Sequence, residues 1–255
     1  MLAAFAGSAR RVADALLDLV FAPVWLGCDG LIATGDRARL VCRRCRALLR
    51  APPAPRCSRC GAPRRMTGLI ADSFTCPECA EWPDALRLAR SACLLEPPAD
   101  RLVHQLKYRG WRALGIPLGE HMAAVRWPLD AHEPATVVAV PTTRARIAER
   151  GYNQAGMLAA AYASATSRQL LEPLQRAAAM RTQTTLQPAA RAANVAGAFT
   201  LAADVRGRHV ILVDDVLTTG ATAAQCATAL HGAGACCVRL ITFARAFDLR
   251  RPTRL

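Results

Sequence analysis

The sequence predicts an α/β fold, a mostly parallel sheet with helices on both faces, preceded by a small cysteine-rich module. Three observations predict it. Apolar runs alternate with helical patterns along residues 84–250, the order that builds parallel strands joined by helical crossovers. The run Val210-Ile211-Leu212-Val213 is continuously apolar, as in a strand covered on both faces. Seven of the eleven cysteines lie between Cys28 and Cys79, and six of these form Cys-x-x-Cys pairs.

Residues 1–26 read as an amphipathic helix, with Val12, Leu16, Leu19 and Val20 at helical spacing. Residues 16–25 are apolar, and Leu26-Gly27-Cys28 has the outline of a lipoprotein cleavage site. Asp14 and Asp18 interrupt that stretch, and Arg10 and Arg11 leave too short a hydrophobic length for a secretory core. No run approaches the ~20 apolar residues that span a bilayer. A cytoplasmic chain without membrane insertion is expected.

Residues 27–83 form the cysteine module. Cys57/Cys60 and Cys76/Cys79 are separated by fifteen residues, a zinc-ribbon spacing in which each turn aims two sulfurs at one ion. Four thiolates close the coordination shell, so Zn²⁺ there is structural, holding a module too small for its own core. Cys42 and Cys45 form a further pair that Cys28 can join. The position three residues after Cys28 is Leu31, so a fourth sulfur is missing and Asp29 is the nearest alternative. Cys93, Cys226, Cys236 and Cys237 sit in apolar surroundings and read as inert.

Beyond the module, a strand is expected over residues 87–94 and helices over 98–108 and 114–125. A strand over 136–140 stops at Pro141 and leads through an Arg-rich loop to a helix over 153–165. The strand bearing Asp214 and Asp215, a helix over 223–231 and a closing strand over 236–243 complete the sheet.

Composition is that of a globular chain: 53% hydrophobic and 20% charged, with net charge +14. Lys107 is the only lysine, so general basicity reflects a bias toward arginine and carries little weight. Clustering carries more. Arg37, Arg39, Arg43, Arg44, Arg46, Arg50, Arg56, Arg59, Arg64 and Arg65 share a stretch whose nearby acid is Asp36, a candidate contact for a polyanion such as single-stranded DNA.

The chemistry concentrates in Val210-Ile211-Leu212-Val213-Asp214-Asp215-Val216-Leu217-Thr218-Thr219-Gly220-Ala221-Thr222. A buried strand delivers two carboxylates to its carboxyl end, where ligands sit in open α/β sheets. Acids there can bind sugar hydroxyls or a hydrated Mg²⁺. The turn that follows opens a helix whose N–H groups and dipole favour a phosphate. The lysine of a Walker A loop and the spacing of a dinucleotide fingerprint are both missing. In a second segment, Pro141-Thr142-Thr143-Arg144 continues to Arg150-Gly151-Tyr152-Asn153-Gln154. Arg144 and Arg150 are candidates for a second anionic group such as pyrophosphate.

The first segment resembles the phosphoribosyl-pyrophosphate (PRPP) signature of type I phosphoribosyltransferases. Arg150-Gly151-Tyr152-Asn153-Gln154 narrows this, being similar to the Arg-Gly-Phe-Asn-Gln motif of the ComF family. Leu102-Val103-His104-Gln105-Leu106-Lys107-Tyr108, the stretch 183–199 and the cysteine-rich start agree, in order, over residues 28–245. The resemblance implies a type I phosphoribosyltransferase-like domain behind a double zinc ribbon, linked to natural transformation or to use of external DNA. It implies Asp214 and Asp215 facing the ribose hydroxyls, with Thr218, Thr219, Gly220, Ala221 and Thr222 around the 5′-phosphate. It places Arg144 and Arg150 in the pyrophosphate-loop region, Lys107 at a family lysine, and residues 183–194 in a covering loop. Implied partners are PRPP with Mg²⁺, single-stranded DNA and the DNA-uptake machinery. The sequence departs from the family where the first Cys-x-x-Cys is reduced to Cys28, and where Thr142 and Thr143 follow the proline. The alternative is a nucleobase phosphoribosyltransferase of salvage. Such an enzyme needs a hood of base-stacking aromatics, a place this sequence gives to the arginine-bearing cysteine module.

Overall fold

A computed structural model describes residues 24–32, 40–64, 76–128, 135–172, 174–176, 199–201 and 203–247. The expected N-terminal amphipathic helix falls almost wholly outside them, as does the covering loop over 183–194. Helix α1 (Arg43–Leu48) belongs to the cysteine module. It is followed by strand β1 (Leu86–Leu94), helix α2 (Ala99–Tyr108), a single 3₁₀ turn and helix α3 (Gly115–Ala123). Strand β2 (Ala135–Ala139) leads to helices α4 (Arg144–Arg150) and α5 (Gln154–Ala165) and the short strand β3 (Leu170–Leu171). Strands β4 (Leu174–Arg176) and β5 (Phe199–Leu201) pair antiparallel as a separate ribbon. Strand β6 (His209–Leu217), helix α6 (Ala221–Gly232) and strand β7 (Cys237–Arg245) close the order.

The expected α/β architecture is present. Five strands run in the order β1-β7-β6-β2-β3, and every pairing is parallel. The apolar run on β6 supplies two cores, because successive side chains leave a strand on opposite faces. Ile211 and Val213 join α2, α3 and α5 on one face. Val210 and Leu212 join α6 on the other. All four are at most 1% exposed, each contributing about 1.5–3 kcal/mol from removal of apolar surface from water.

The cysteine module straddles the sheet. Cys45, Val41 and Leu49 pack into the first core, whereas Cys57, Cys60, Cys76, Cys79 and Trp82 pack into the second. Among the described residues, no helix is long and apolar enough to cross a membrane.

The Arg-rich loop expected between β2 and α5 is instead helix α4. Its caps explain it: Thr143 Oγ1 accepts from the Arg146 N–H at 3.2 Å, and Gly151 ends the helix at φ 78°. The positive φ is the left-handed conformation favoured by glycine at a helix end. Such capping outweighs the polarity that made the segment read as loop. Strands β3, β4 and β5 also escaped the sequence pattern, being two or three residues long.

Candidate functional site

The carboxyl ends of β6 and β2 open into a cavity of about 430 Å³, with α2 along one wall. Asp214 and Asp215 both line it. Asp215 continues the phase of Ile211 and Val213 toward α2, and Lys107 Nζ meets its Oδ1 at 2.8 Å. Its Oδ2 is buried without a hydrogen-bond partner. A buried carboxylate oxygen so placed is costly unless a ligand uses it. Asp214 Oδ1 accepts from the Asp215 N–H at 2.8 Å. Burial, then the neighbouring Asp215 carboxylate, raise the Asp214 carboxyl to about 7.

Thr218, Thr219, Gly220, Ala221 and Thr222 together line a small adjoining cavity of about 60 Å³, with Asp214 at its edge. The backbone turns through Gly220 at φ 79°, and α6 begins at Ala221. A Cβ on Gly220 would lie 2.5 Å from the Trp82 ring, so conformation and space both require glycine. Trp82 Nε1 donates to the Thr219 carbonyl at 2.9 Å. The last turn of the cysteine module therefore rests directly on this loop.

Arg144 is exposed and does not line the larger cavity, whereas Arg146, two residues on, does. Sequence reasoning misses this because a helix turns successive side chains by ~100°, whereas the polarity of the segment points to a loop. Arg150 packs outside the cavity wall. Its guanidinium lies 4.8 Å from the Tyr108 ring centroid and donates to Gln154 Oε1 at 3.2 Å. The Arg150-Gly151-Tyr152-Asn153-Gln154 segment forms a corner. The buried Tyr152 hydroxyl donates to the Leu106 carbonyl of α2, and Asn153 Nδ2 donates to the Val140 carbonyl at 3.1 Å. Gln154 and Thr142 line the cavity, and Thr142 Oγ1 is buried without a partner.

Three side chains that sequence reasoning left without a role also line the cavity: Asp100, His104 and Tyr108 of α2. Their spacing of four residues was the available signal, since it stacks side chains along one helix face.

The four sulfurs of Cys57, Cys60, Cys76 and Cys79 lie within 4.8 Å of one another, all buried. The Cys57–Cys79 and Cys60–Cys76 sulfurs are 3.9 and 3.7 Å apart. A tetrahedron with ~2.3 Å Zn–S bonds has edges of about 3.8 Å. Hydrogen bonds from Cys60 and Cys76 hold the Cys57 thiol far below its usual range, and burial with the Cys57 charge pushes Cys79 up to about 12. Without a cation the cluster thus resists further ionisation. Arg245, 1% exposed, donates to the Cys60 carbonyl at 2.9 Å and lies 3.8 Å from its sulfur. A buried guanidinium there suits the negative charge of a four-thiolate metal centre.

The structure also brings Cys28, Cys42 and Cys45 together, within 4.8 Å. Asp29 does not complete this set as expected; its carboxylate accepts from Arg101 at 2.6 Å. A three-sulfur group fits a metal that takes its fourth ligand from outside the three.

Arg37, Arg39 and Arg65 lie outside the described residues, and the described arginines of the stretch differ in their surroundings. Arg43, Arg44, Arg46, Arg50 and Arg56 are exposed. Arg59 instead is consumed by the fold, donating to the carbonyls of Cys79, Trp82, Pro83 and Leu86 at 2.8–3.3 Å.

The sheet and its strand-end cavity define a phosphoribosyltransferase-type domain, and the family model described as "Phosphoribosyl transferase domain" matches residues 157–254. The chain is 31% identical over 193 residues to the DNA utilization protein YhgH of Escherichia coli (strain K12), across 72% of this chain and 81% of that protein. To the protein of the same name from Salmonella typhimurium it is 30% identical over 196 residues, with the same shares covered. The chain belongs to their family, the ComF family. Among solved structures, the allosteric regulatory enzyme of purine biosynthesis is 26% identical across 51% of this chain and 25% of that one, with a TM-score of 0.39.

Proposed function

We propose that the strand-end cavity binds PRPP with Mg²⁺, and that the chain handles single-stranded DNA in the cytoplasm during DNA uptake or utilisation. The observation that carries the first half is the Asp214–Asp215 pair beside the Thr218–Thr222 turn, with a buried Asp215 oxygen that has no partner. In this reading the turn and the α6 N-terminus hold the 5′-phosphate. The carboxylates accept from the ribose hydroxyls, and Lys107 fixes Asp215. Arg146, with Arg150 behind it, faces the pyrophosphate, which Mg²⁺ would help neutralise when bound. Zn²⁺ in the Cys57, Cys60, Cys76 and Cys79 centre is structural; Cys28, Cys42 and Cys45 hold a second ion. The DNA half rests on the relatives named for DNA utilization and on the exposed arginines around α1. Components of the uptake machinery are the expected protein partners.

Titration calorimetry with PRPP and Mg²⁺ tests the site. Asp214→Asn combined with Asp215→Asn is expected to weaken binding at least ~100-fold, losing two charge-assisted contacts of about 1.5–3 kcal/mol each. Asp214→Asn alone, which keeps the Lys107–Asp215 pair, is expected to lose about tenfold. Circular dichroism would check that both variants fold. Unchanged affinity in the folded variants overturns the assignment. A pyrophosphate-release screen with free nucleobases separates a binding protein from a salvage phosphoribosyltransferase. The aromatic pair on α2 favours testing that second reading.

A further inference from the structure

The two cysteine groups share one turn, and only one of them keeps its full set of ligands. At Cys57 the amide donates to the Ala62 carbonyl at 2.8 Å, and the Gly61 amide returns to the Cys57 carbonyl at 3.0 Å. Arg56 forms an antiparallel bridge to Pro63, and Gly61 takes φ 70°. At Trp25 the amide donates to the Gly30 carbonyl at 2.8 Å, and the Asp29 amide returns to the Trp25 carbonyl at 3.0 Å. Val24 forms an antiparallel bridge to Leu31, and Asp29 takes φ 55°. Every spacing is the same, so Trp25 and Cys28 stand in the first turn where Cys57 and Cys60 stand in the second.

The fourth ligand position of the Cys28, Cys42 and Cys45 group therefore holds an indole. Trp25 is 9% exposed, yet it joins neither of the two apolar cores formed by the described residues. The three sulfurs are set close all the same. Cys28 and Cys42 sulfurs lie 3.8 Å apart, and a Cβ on Gly27 would fall 2.9 Å from the Cys45 sulfur. Cys28 is exposed and Cys42 half-buried, whereas all four sulfurs of the other centre are buried. Asp29, the nearest oxygen donor in the chain, is held by Arg101 at 2.6 Å.

Zn²⁺ in a closed protein site takes four ligands, and here it is one short. Thiolates also select soft ions, and a singly charged one such as Cu(I) is satisfied by three sulfurs. An indole face attracts a cation without donating a bond to it. We propose that Cys28, Cys42 and Cys45 form a three-thiolate site for a soft monovalent ion of the Cu(I) class, with Trp25 closing the fourth position. The two cysteine groups then hold different metals. This rests on the reading that these three cysteines hold an ion, and names its class.

The full chain, kept anaerobic and reduced, is loaded with Zn²⁺ alone or with one further equivalent of Cu(I), and both metals are counted after passage over a weak chelator. One firmly held zinc is expected, together with one copper that is lost in Cys28→Ser. X-ray absorption at the copper edge should count three sulfur neighbours. Trp25→Cys, which completes four sulfurs, should hold a second zinc at least ~100-fold more tightly than the unaltered chain, since even outer-shell partners of a ligand are worth 10–100-fold. Circular dichroism checks the fold of each variant, and the copper coordination number decides the matter without any substitution. If the unaltered chain holds two zinc ions firmly and Trp25→Cys adds nothing, the three-thiolate site is overturned while the second-ion reading stands. Copper that displaces the first zinc, or that has four sulfur neighbours, overturns it equally. If neither metal's uptake depends on Cys28, the second-ion reading falls and this site with it.

Discussion

The Asp214 carboxyl sits at about 7 because burial and the Asp215 charge both oppose its ionisation. An unfolded aspartate ionises near ~3.9. The folded state therefore holds the proton more tightly, and Asp214 costs stability progressively as pH rises from about 4 to about 7. A sugar ligand that needs the carboxylate must expel that proton at low pH. PRPP affinity is accordingly expected to rise from pH 6 to pH 7.5 and then level, with a proton released on binding below neutrality. Calorimetry in buffers of different ionisation enthalpy reads that proton directly. Asp214→Asn should remove Asp214's share of the release and leave only the ligand phosphates' own titration; an unaltered release would place it elsewhere. The two acids were legible in the sequence because adjacent carboxylates after an apolar run have few places to go. Their unequal environments were not, since these depend on Lys107, more than a hundred positions away in the chain.

At the scale of elements, the Thr218–Thr222 turn is anchored from outside the sheet. Trp82 lies three residues beyond Cys79, its N–H bonds the Cys79 carbonyl at 3.2 Å, and its ring closes over Gly220. Arg59, between Cys57 and Cys60 in the chain, ties the Trp82 and Pro83 carbonyls. The centre and the turn are thus linked by bonded contacts. Purified protein is expected to carry at least one zinc per chain. Removing it with a chelator, or Cys57→Ser, should lower affinity for ribose 5-phosphate as well as loosen the module. Trp82→Phe should weaken the same ligand by about fivefold with zinc retained, the worth of one neutral hydrogen bond of about 1 kcal/mol. Metal-free protein with full affinity would show that the turn stands alone. The Cys-x-x-Cys spacing announced the centre, but no local pattern announced where it docks. Helix α4 teaches the same point in reverse. Its caps, Thr143 and Gly151, flank an arginine-rich run whose polarity alone points to a loop.

Taken as a whole, the molecule places its two cysteine groups against opposite cores, so the module grips both faces of the sheet. The exposed Arg43, Arg44 and Arg46 then lie on a short helix that Cys42, one of the three clustered sulfurs, caps by accepting the Cys45 N–H at 3.2 Å. If this surface binds single-stranded DNA, four to six phosphate contacts give a log–log salt slope of roughly −3 to −4. Reversing Arg43, Arg44 and Arg46 to Glu is expected to flatten that slope by about 2 and leave PRPP affinity unchanged; filter binding across salt concentrations reads it. An identical slope in the variant would move the DNA surface elsewhere. The basic stretch itself was plain in the sequence. Which of its arginines are available was not, because only the folded chain shows Arg59 spent on four carbonyls.

Strand β6 has a consequence for how this chain can diverge. It is paired on both sides, with Val137 opposite Ile211 and Ile211 opposite Arg239. A codon gained or lost between residues 209 and 213 would shift every later side chain to the other face. Ile211 and Val213 would exchange cores with Val210 and Leu212, and Asp215 would turn away from Lys107. Substitutions that keep an apolar branched residue can accumulate along this strand, but insertions and deletions cannot. Length variation between relatives that retain the Lys107–Asp215 pair should therefore stop at the edges of β6, whatever their overall identity.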